Sequence, residues 1–288
     1  MVDMKVRDLT PAFGAEVCGL RSQMPLDPGT CRVLQEAFDR RGLLLFRDLD
    51  IDHPYQVYLS KMLIRKAELA EGSGGDDAPI ADNFYISNKR PQSSAPFGRL
   101  QFHSDTMWSD KPFEVLSLYA VEVEQPAVPT TFVSGTRAWA TLPDELRARV
   151  EALTALHTAG EVRRGDLTDV LVSTFQRPPS TVTPIGHRHP RTGQTILYVC
   201  EQMTKEIVGL APDASERLLE ELFAHLYDRA EQLNHHWRNG DLVVWDNVAV
   251  QHARPNVHVD GPARTLRKVA SPIPKLDLDQ LPTFSSAV

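Results

Sequence analysis

Short apolar runs separated by Gly, Pro, Asn and Asp dominate the chain, and only a few stretches repeat at helical spacing. Leu43-Leu44-Leu45-Phe46 reads as a buried strand, and Val115 to Glu124 as a longer one in which apolar and polar positions partly alternate. Thr195 to Cys200, Asp241 to Trp245, Val248 to His252 and Arg264 to Ala270 read the same way, each bounded by turn residues. Helical spacing follows Asp27-Pro28, with Val33, Leu34, Ala37 and Phe38 on one side and Gly42 as the stop. It recurs from Tyr55 to Leu69, and from Leu142-Pro143-Asp144-Glu145 through Val150 and Leu153. Asp213-Ala214-Ser215-Glu216 has the form of a capping box ahead of Leu218, Leu219, Leu222, Phe223, Leu226 and Tyr227. Arg163 to Pro184 is polar and carries no clear period.

Many short strands with a few peripheral helices predict a mainly β fold, with a double-stranded β-helix (jelly roll, cupin-like) core. Strands do not alternate with helices and no GxGxxG is present, which argues against a dinucleotide-binding fold. From Glu71-Gly72-Ser73-Gly74-Gly75 to about Gly98 the chain is rich in Gly, Pro, Ser and Asn. A loop this long inside a compact chain predicts a lid, here over about 71–98.

The 288 residues carry 42% hydrophobic and 24% charged side chains, an ordinary globular composition with room for a sizeable core. A formal charge of −7 and the lack of a dense Lys/Arg run argue against a nucleic-acid partner. No apolar run approaches the ~20 residues that span a bilayer, and the first twenty residues lack a signal-peptide pattern. Cys18, Cys31 and Cys200 are odd in number and without CxxC spacing. They fit reduced thiols and a cytoplasmic location better than a disulfide framework.

The chemistry enters with His103-Ser104-Asp105. On an extended segment residues i and i+2 share a face, so the imidazole and the carboxylate are aimed at one point. A second histidine from a distant strand completes three ligands on one side of a metal. That leaves open positions on the other side, as in non-haem Fe(II) oxygenases.

The blocks "FHSD", "TRAWATLPDEL", "HRHPRTGQTILYV", "WRNGDLVVWDNVAVQH" and "RTLRKVA" follow one another in order. Together they resemble the TauD/TfdA family of Fe(II)- and 2-oxoglutarate-dependent dioxygenases across nearly the whole chain, from Phe13-Gly14 to Ala270. The resemblance implies a single dioxygenase domain over 1–288, with His103 and Asp105 as proximal metal ligands and His252 as the distal one. Among ten histidines, His252 alone follows the Trp245-Asp246-Asn247 turn on an apolar strand. His187 and His189 flank a Pro-containing turn without a carboxylate. His235 and His236 lie at a loop edge, and His258 lies in a Pro/Gly turn.

Arg264 matches the family's grip on the far carboxylate of 2-oxoglutarate, which a planar guanidinium binds through two parallel hydrogen bonds. Thr130 matches the threonine beside it, with Thr131 as the fallback, although Ala127-Val128-Pro129 departs from the family's usual Gly-Gly-Asp. Strand period puts Arg264, Leu266, Lys268 and Ala270 on one face and turns Arg267 outward. Lys268 stands where several relatives carry a second arginine. It reads either as a contact to a substrate anion or as a structural ion pair, and Lys111 and Arg254 are further cations to consider. Trp108 either walls the substrate pocket or simply packs. In the expected lid, Asn83, Phe84, Tyr85 and Asn88 include substrate contacts, with Asn83 and Tyr85 the leading candidates.

The cofactors implied are Fe(II), with 2-oxoglutarate and O2 as cosubstrates. The activity implied is oxidation of a C–H bond in a small, anionic molecule, as hydroxylation or, in natural-product pathways, desaturation. Relatives also suggest a dimer or tetramer. Two readings from other classes compete: a metal-dependent hydrolase, which would need neither O2 nor 2-oxoglutarate, and a non-catalytic jelly-roll binding protein.

Overall fold

The computed structural model describes residues 4–66, 84–91, 93–159, 164–272 and 283–286. Two largely antiparallel sheets form its centre. The larger has seven strands in the spatial order Lys5–Asp8, Ala15–Cys18, Leu43–Phe46, Leu242–Asp246, Val115–Val123, Arg264–Ser271 and Tyr85–Ser87. The smaller has four, in the order Leu233–His235, Thr130–Ser134, Val250–Val257 and Gly98–His103. Facing sheets of this kind are the jelly roll that the strand pattern predicted.

Alternation explains why the central strands of the large sheet are apolar at every position. Leu43, Leu45, Val243 and Trp245 enter the core between the sheets, with Leu116, Leu118, Phe132, Val250 and Leu266. Leu44, Phe46, Leu242 and Val244 point the other way, into a second core under the helices Pro28–Arg41 and His53–Leu63. A strand covered on both faces has no polar side, which is what Leu43-Leu44-Leu45-Phe46 looks like in sequence. A third core lies outside the small sheet, where Leu218, Leu219, Leu222 and Leu226 of the helix Pro212–Leu226 meet Val133, Leu197 and Val199.

Helix boundaries are set by caps. Asp27 accepts from the Thr30 amide at 3.0 Å, and Gly42 closes the first helix in the left-handed region at φ 69°. The second helix runs from His53 to Leu63, earlier than the apolar spacing alone predicts, because Asp52 caps it and Pro54 fits its first turn. The expected capping box at Asp213 is not the helix start. Pro212 opens that helix and no side chain caps it. Among the described residues no helix is long and apolar enough to cross a membrane.

Of the expected lid, residues 71–83 and 92 lie outside the described residues, and Asn83 with them. The part that is described is tied down. Tyr85–Ser87 pairs with the strand Arg264–Ser271, and Asn88 accepts from the Arg264 amide while donating to the carbonyls of His258 and Pro262.

Candidate active site

The strands Gly98–His103 and Val250–Val257 lie side by side, and their register sets His103 directly opposite His252. The two rings are 4.2 Å apart between centroids. Asp105 follows at the end of the first strand, so one ligating atom from each of His103, Asp105 and His252 falls within 4.8 Å of the others.

The protonation pattern suits a cation. The His103 Nδ1–H donates to the Gln101 carbonyl at 2.8 Å, which turns Nε2 toward Asp105, 3.3 Å from its Oδ1. Burial, and after it the neighbouring His103, holds His252 well below the ordinary imidazole range, so its ring is neutral. Its Nε2 is 3.9 Å from the same Asp105 oxygen. Burial opposes ionisation of Asp105. The Lys268 ammonium, followed by the neighbouring His103, more than offsets this and holds the carboxyl well below its usual range. Two imidazoles, one of them held neutral by burial, and one ionised carboxylate on one face form a donor set that fits Fe(II).

Asp105 and His252 open onto a narrow cleft between the sheets. Ile86, Leu100, Leu116, Leu118 and Trp245 give it apolar walls, and Thr130, Arg254, Arg264 and Lys268 give it polar ends. Arg264 is buried. Its Nε donates to the Val128 carbonyl at 3.1 Å and an Nη to Thr130 Oγ1 at 3.1 Å. Among the described residues no carboxylate pairs with it, and burial followed by the nearby Arg254 pushes its guanidinium well below the ordinary arginine range. A buried cation in that condition could receive a carboxylate brought by a ligand.

Thr130 lies buried at its side and also accepts from Trp237 Nε1 at 3.0 Å. With two donors on its oxygen, the hydroxyl proton remains available to a ligand in the cleft. Thr131, the alternative, points outward to Asn234 at 2.6 Å. Trp237 was missed in the sequence, where nothing but its aromatic character marks it.

Strand alternation holds for Arg264, Leu266 and Lys268, all on the cleft side. The irregularity in pairing falls on the partner strand at Val121, where Thr265 and Leu266 skip from Glu122 to Ala120. Arg267 does take the opposite face but is not turned to water. It is buried under the second helix, with its Nε on Gln56 Oε1 at 2.7 Å and an Nη on the Ile51 carbonyl at 3.0 Å. Tyr85 pairs directly with Arg267, so it shares that far face and Arg90 stacks over its ring. The cleft therefore receives its neighbour Ile86. Trp108 packs edge-on against Phe175, 6.2 Å between centroids, and is not among the residues lining the cleft.

His189 corrects a further expectation, since it does have a carboxylate partner. Its Nε2 lies 2.9 Å from Asp246, while its Nδ1 accepts the amides of Arg191 and Thr192. Both nitrogens are thereby committed, and His189 belongs to the scaffold.

A His-Asp-His face beside a cleft whose buried arginine meets no carboxylate among the described residues fits a mononuclear non-haem metal enzyme with a carboxylate cosubstrate. The profile of the "Taurine catabolism dioxygenase TauD, TfdA family" matches residues 5–270, and the chain belongs to that family of 2-oxoglutarate-dependent dioxygenases. It is 26% identical over 286 residues to pentalenolactone F synthase of Streptomyces avermitilis, covering 90% of this chain and 91% of that one. It is also 26% identical to an α-ketoglutarate-dependent 2,4-dichlorophenoxyacetate dioxygenase of a Burkholderia species, over 85% of this chain and 86% of the relative. A crystal structure of a taurine dioxygenase from Burkholderia xenovorans superposes with a TM-score of 0.70 at 25% identity, over 93% of this chain and 90% of that one. Fe(II), 2-oxoglutarate and O2 are the cofactor and cosubstrates of this enzyme class, and the His-Asp-His cluster could hold the metal.

Proposed function

We propose that this chain, acting as one domain, hydroxylates a C–H bond of a small anionic molecule, with His103, Asp105 and His252 holding Fe(II) and Arg264 and Thr130 holding 2-oxoglutarate. The observation that carries the reading is Arg264, a buried guanidinium without a carboxylate among the described residues, in the same cleft as Asp105 and His252. When bound, Fe(II) supplies the oxidation of the substrate at the expense of O2 and 2-oxoglutarate, which leaves as succinate and CO2.

The chain's own residues do the rest. Burial keeps His252 neutral, and Lys268 keeps Asp105 ionised before the metal arrives. Arg264 fixes the direction of the cosubstrate with its planar fork, and Thr130 adds the hydroxyl proton. The walls of Leu100, Leu116, Leu118 and Trp245 keep water from the reacting carbon. Support for an anionic substrate is the charge of the cleft: Arg254, Arg264 and Lys268 face a single carboxylate, Asp105. Lys268 is the leading contact, since its ammonium lines the cleft beside Asp105, where it would also meet a substrate anion. A dimeric or tetrameric state and a cytoplasmic location belong to the same reading and rest on the resemblance of the sequence. Light scattering of the purified protein tests the first.

The experiment is a screen of carboxylates, sulfonates and aryloxyacetates for substrate-triggered succinate formation with Fe(II), 2-oxoglutarate and O2, followed by mass spectrometry. A product heavier by one oxygen supports the proposal. Substrate turnover under strict anaerobiosis without 2-oxoglutarate would assign a hydrolase instead. Unchanged substrate affinity in Lys268→Met would remove Lys268 as the anion contact.

A further inference from the structure

The turn Trp245-Asp246-Asn247 joins the central strand of the large sheet to the strand that carries His252, and its last residue reaches the other half of the metal site. Asn247 is wholly buried. Its Oδ1 accepts the Asp105 amide at 2.9 Å, and its Nδ2 donates to the Asp105 carbonyl at 2.9 Å. The side-chain amide thus pairs with both main-chain groups of one residue, as a neighbouring strand would, at the point where the ladder of the small sheet has ended.

The second Nδ2 hydrogen goes to the Phe113 carbonyl at 2.9 Å, and the Asn247 main-chain amide donates to the Glu114 carbonyl at 3.1 Å. Asn247 therefore grips both ends of the excursion from Asp105 to Glu114. Every polar atom of its side chain is used, and only asparagine presents one acceptor and two donors at this reach.

The excursion is also strained at its start. Thr106 follows Asp105 in the left-handed region at φ 59°, although it is β-branched. Its Oγ1 donates to the Asp105 carbonyl at 2.6 Å and accepts from the Phe113 amide at 2.9 Å. A β-branched residue persists in that conformation only where its surroundings over-determine it, and such residues cluster at functional sites. The anchor on the other side is firm. Asp246 accepts from the Val248 and Ala249 amides at 3.1 Å each and from His189, so the turn that carries Asn247 cannot drift.

From these observations we infer that Asn247 is a positioning residue for the metal. Resting on the metal-site reading above, it fixes the Asp105 backbone relative to the strand of His252, and so sets the separation of the carboxylate from the distal imidazole. It makes no contact with the metal itself.

The test uses Co(II) as the probe on metal-free full-length protein, reading its dissociation constant and its d–d absorption bands. Outer partners of metal ligands change affinity by about 10- to 100-fold when removed. Asn247→Ala is expected to weaken Co(II) binding within that range and to shift the bands. Leu219→Ala, in the distant third core, serves as a control for lost stability. It is expected to keep the affinity within about twofold and the bands unchanged at temperatures where both variants are folded. Wild-type affinity and bands in Asn247→Ala, or an equal loss in Leu219→Ala, overturn the inference. If Asn247→Ala does not fold, Asn247→Asp takes its place. It keeps the acceptor for the Asp105 amide and gives up the two donors, so weaker binding is expected and unchanged binding overturns the inference. Failure of the wild type itself to bind Co(II) would instead bring down the metal-site reading, and this inference with it.

Discussion

Arg264 shows how far a single side chain can carry a function. Its charge is desolvated and unpaired among the described residues, a condition that persists where a ligand completes it. A charge-assisted hydrogen bond contributes about 1.5–3 kcal/mol, so removing the fork has a predictable size. Arg264→Leu is expected to raise the dissociation constant of 2-oxoglutarate by at least about tenfold in the Mn(II)-loaded protein. Arg264→Lys should recover only part of it, because an ammonium lacks the second parallel donor. Calorimetry measures both, and full recovery by lysine would show that charge alone is recognised. The resemblance of the sequence to its family made this residue legible, and a strand period of two then put it on one face with Lys268, as it did His103 with Asp105. The sequence hid Asn247 and Trp237, whose roles depend on which chain segment lies across from them.

At the level of elements, what decides the site is register. His103 opposite His252, and Arg264 on the same side as Lys268, follow from pairings between segments more than a hundred residues apart. Tyr85 illustrates the limit of local reading. Its strand is only three residues long, and a shift of one residue exchanges its two faces, so only the pairing with Arg267 reveals that Ile86 and not Tyr85 meets the cleft. Arg267 looked exposed for a related reason, since a helix covering the far side of a sheet leaves no mark on the strand itself. That helix packs on the far side from the metal, and the two functions should separate. Replacing its cap, Asp52→Ala, removes the hydrogen bond to the Tyr55 amide and should destabilise the fold by about 1 kcal/mol in urea titrations. The affinity for 2-oxoglutarate should stay within about twofold. A loss of both together would mean that the helix layer helps to shape the cleft.

Across the whole molecule, the jelly roll and its helical cover were legible as a class, because continuous apolar runs and short strands follow from two-sided burial. The polar stretch from Arg163 to Pro184 gave no such signal. Its described part includes Ser180–Pro184, an edge strand beside Thr154–Thr158, with only one face against the protein. On the second of these strands His157 is buried, held by the hydroxyls of Thr204 and Thr183, from the strands on either side, at 3.1 and 2.8 Å. Burial, with His187 adding to it, pushes its ring down to about 3. The unfolded chain takes up this proton below about 6.5 and the folded chain only near 3, so stability is lost as pH falls through that window. Between pH 7 and pH 5 the wild type should lose about 2 kcal/mol more than His157→Gln, as measured by urea unfolding. Identical losses would mean that this ring titrates normally in the folded protein.

The central claim is that His103, Asp105 and His252 hold Fe(II) in a cleft where Arg264 delivers 2-oxoglutarate to it. The most direct test is to add both to the metal-free protein without O2 and record the visible spectrum. The account predicts the charge-transfer absorption of an Fe(II)–2-oxo acid chelate, saturating at one equivalent of iron, absent in His252→Ala and needing much more 2-oxoglutarate in Arg264→Leu. No absorption in the wild type, or the same absorption in His252→Ala, would contradict it.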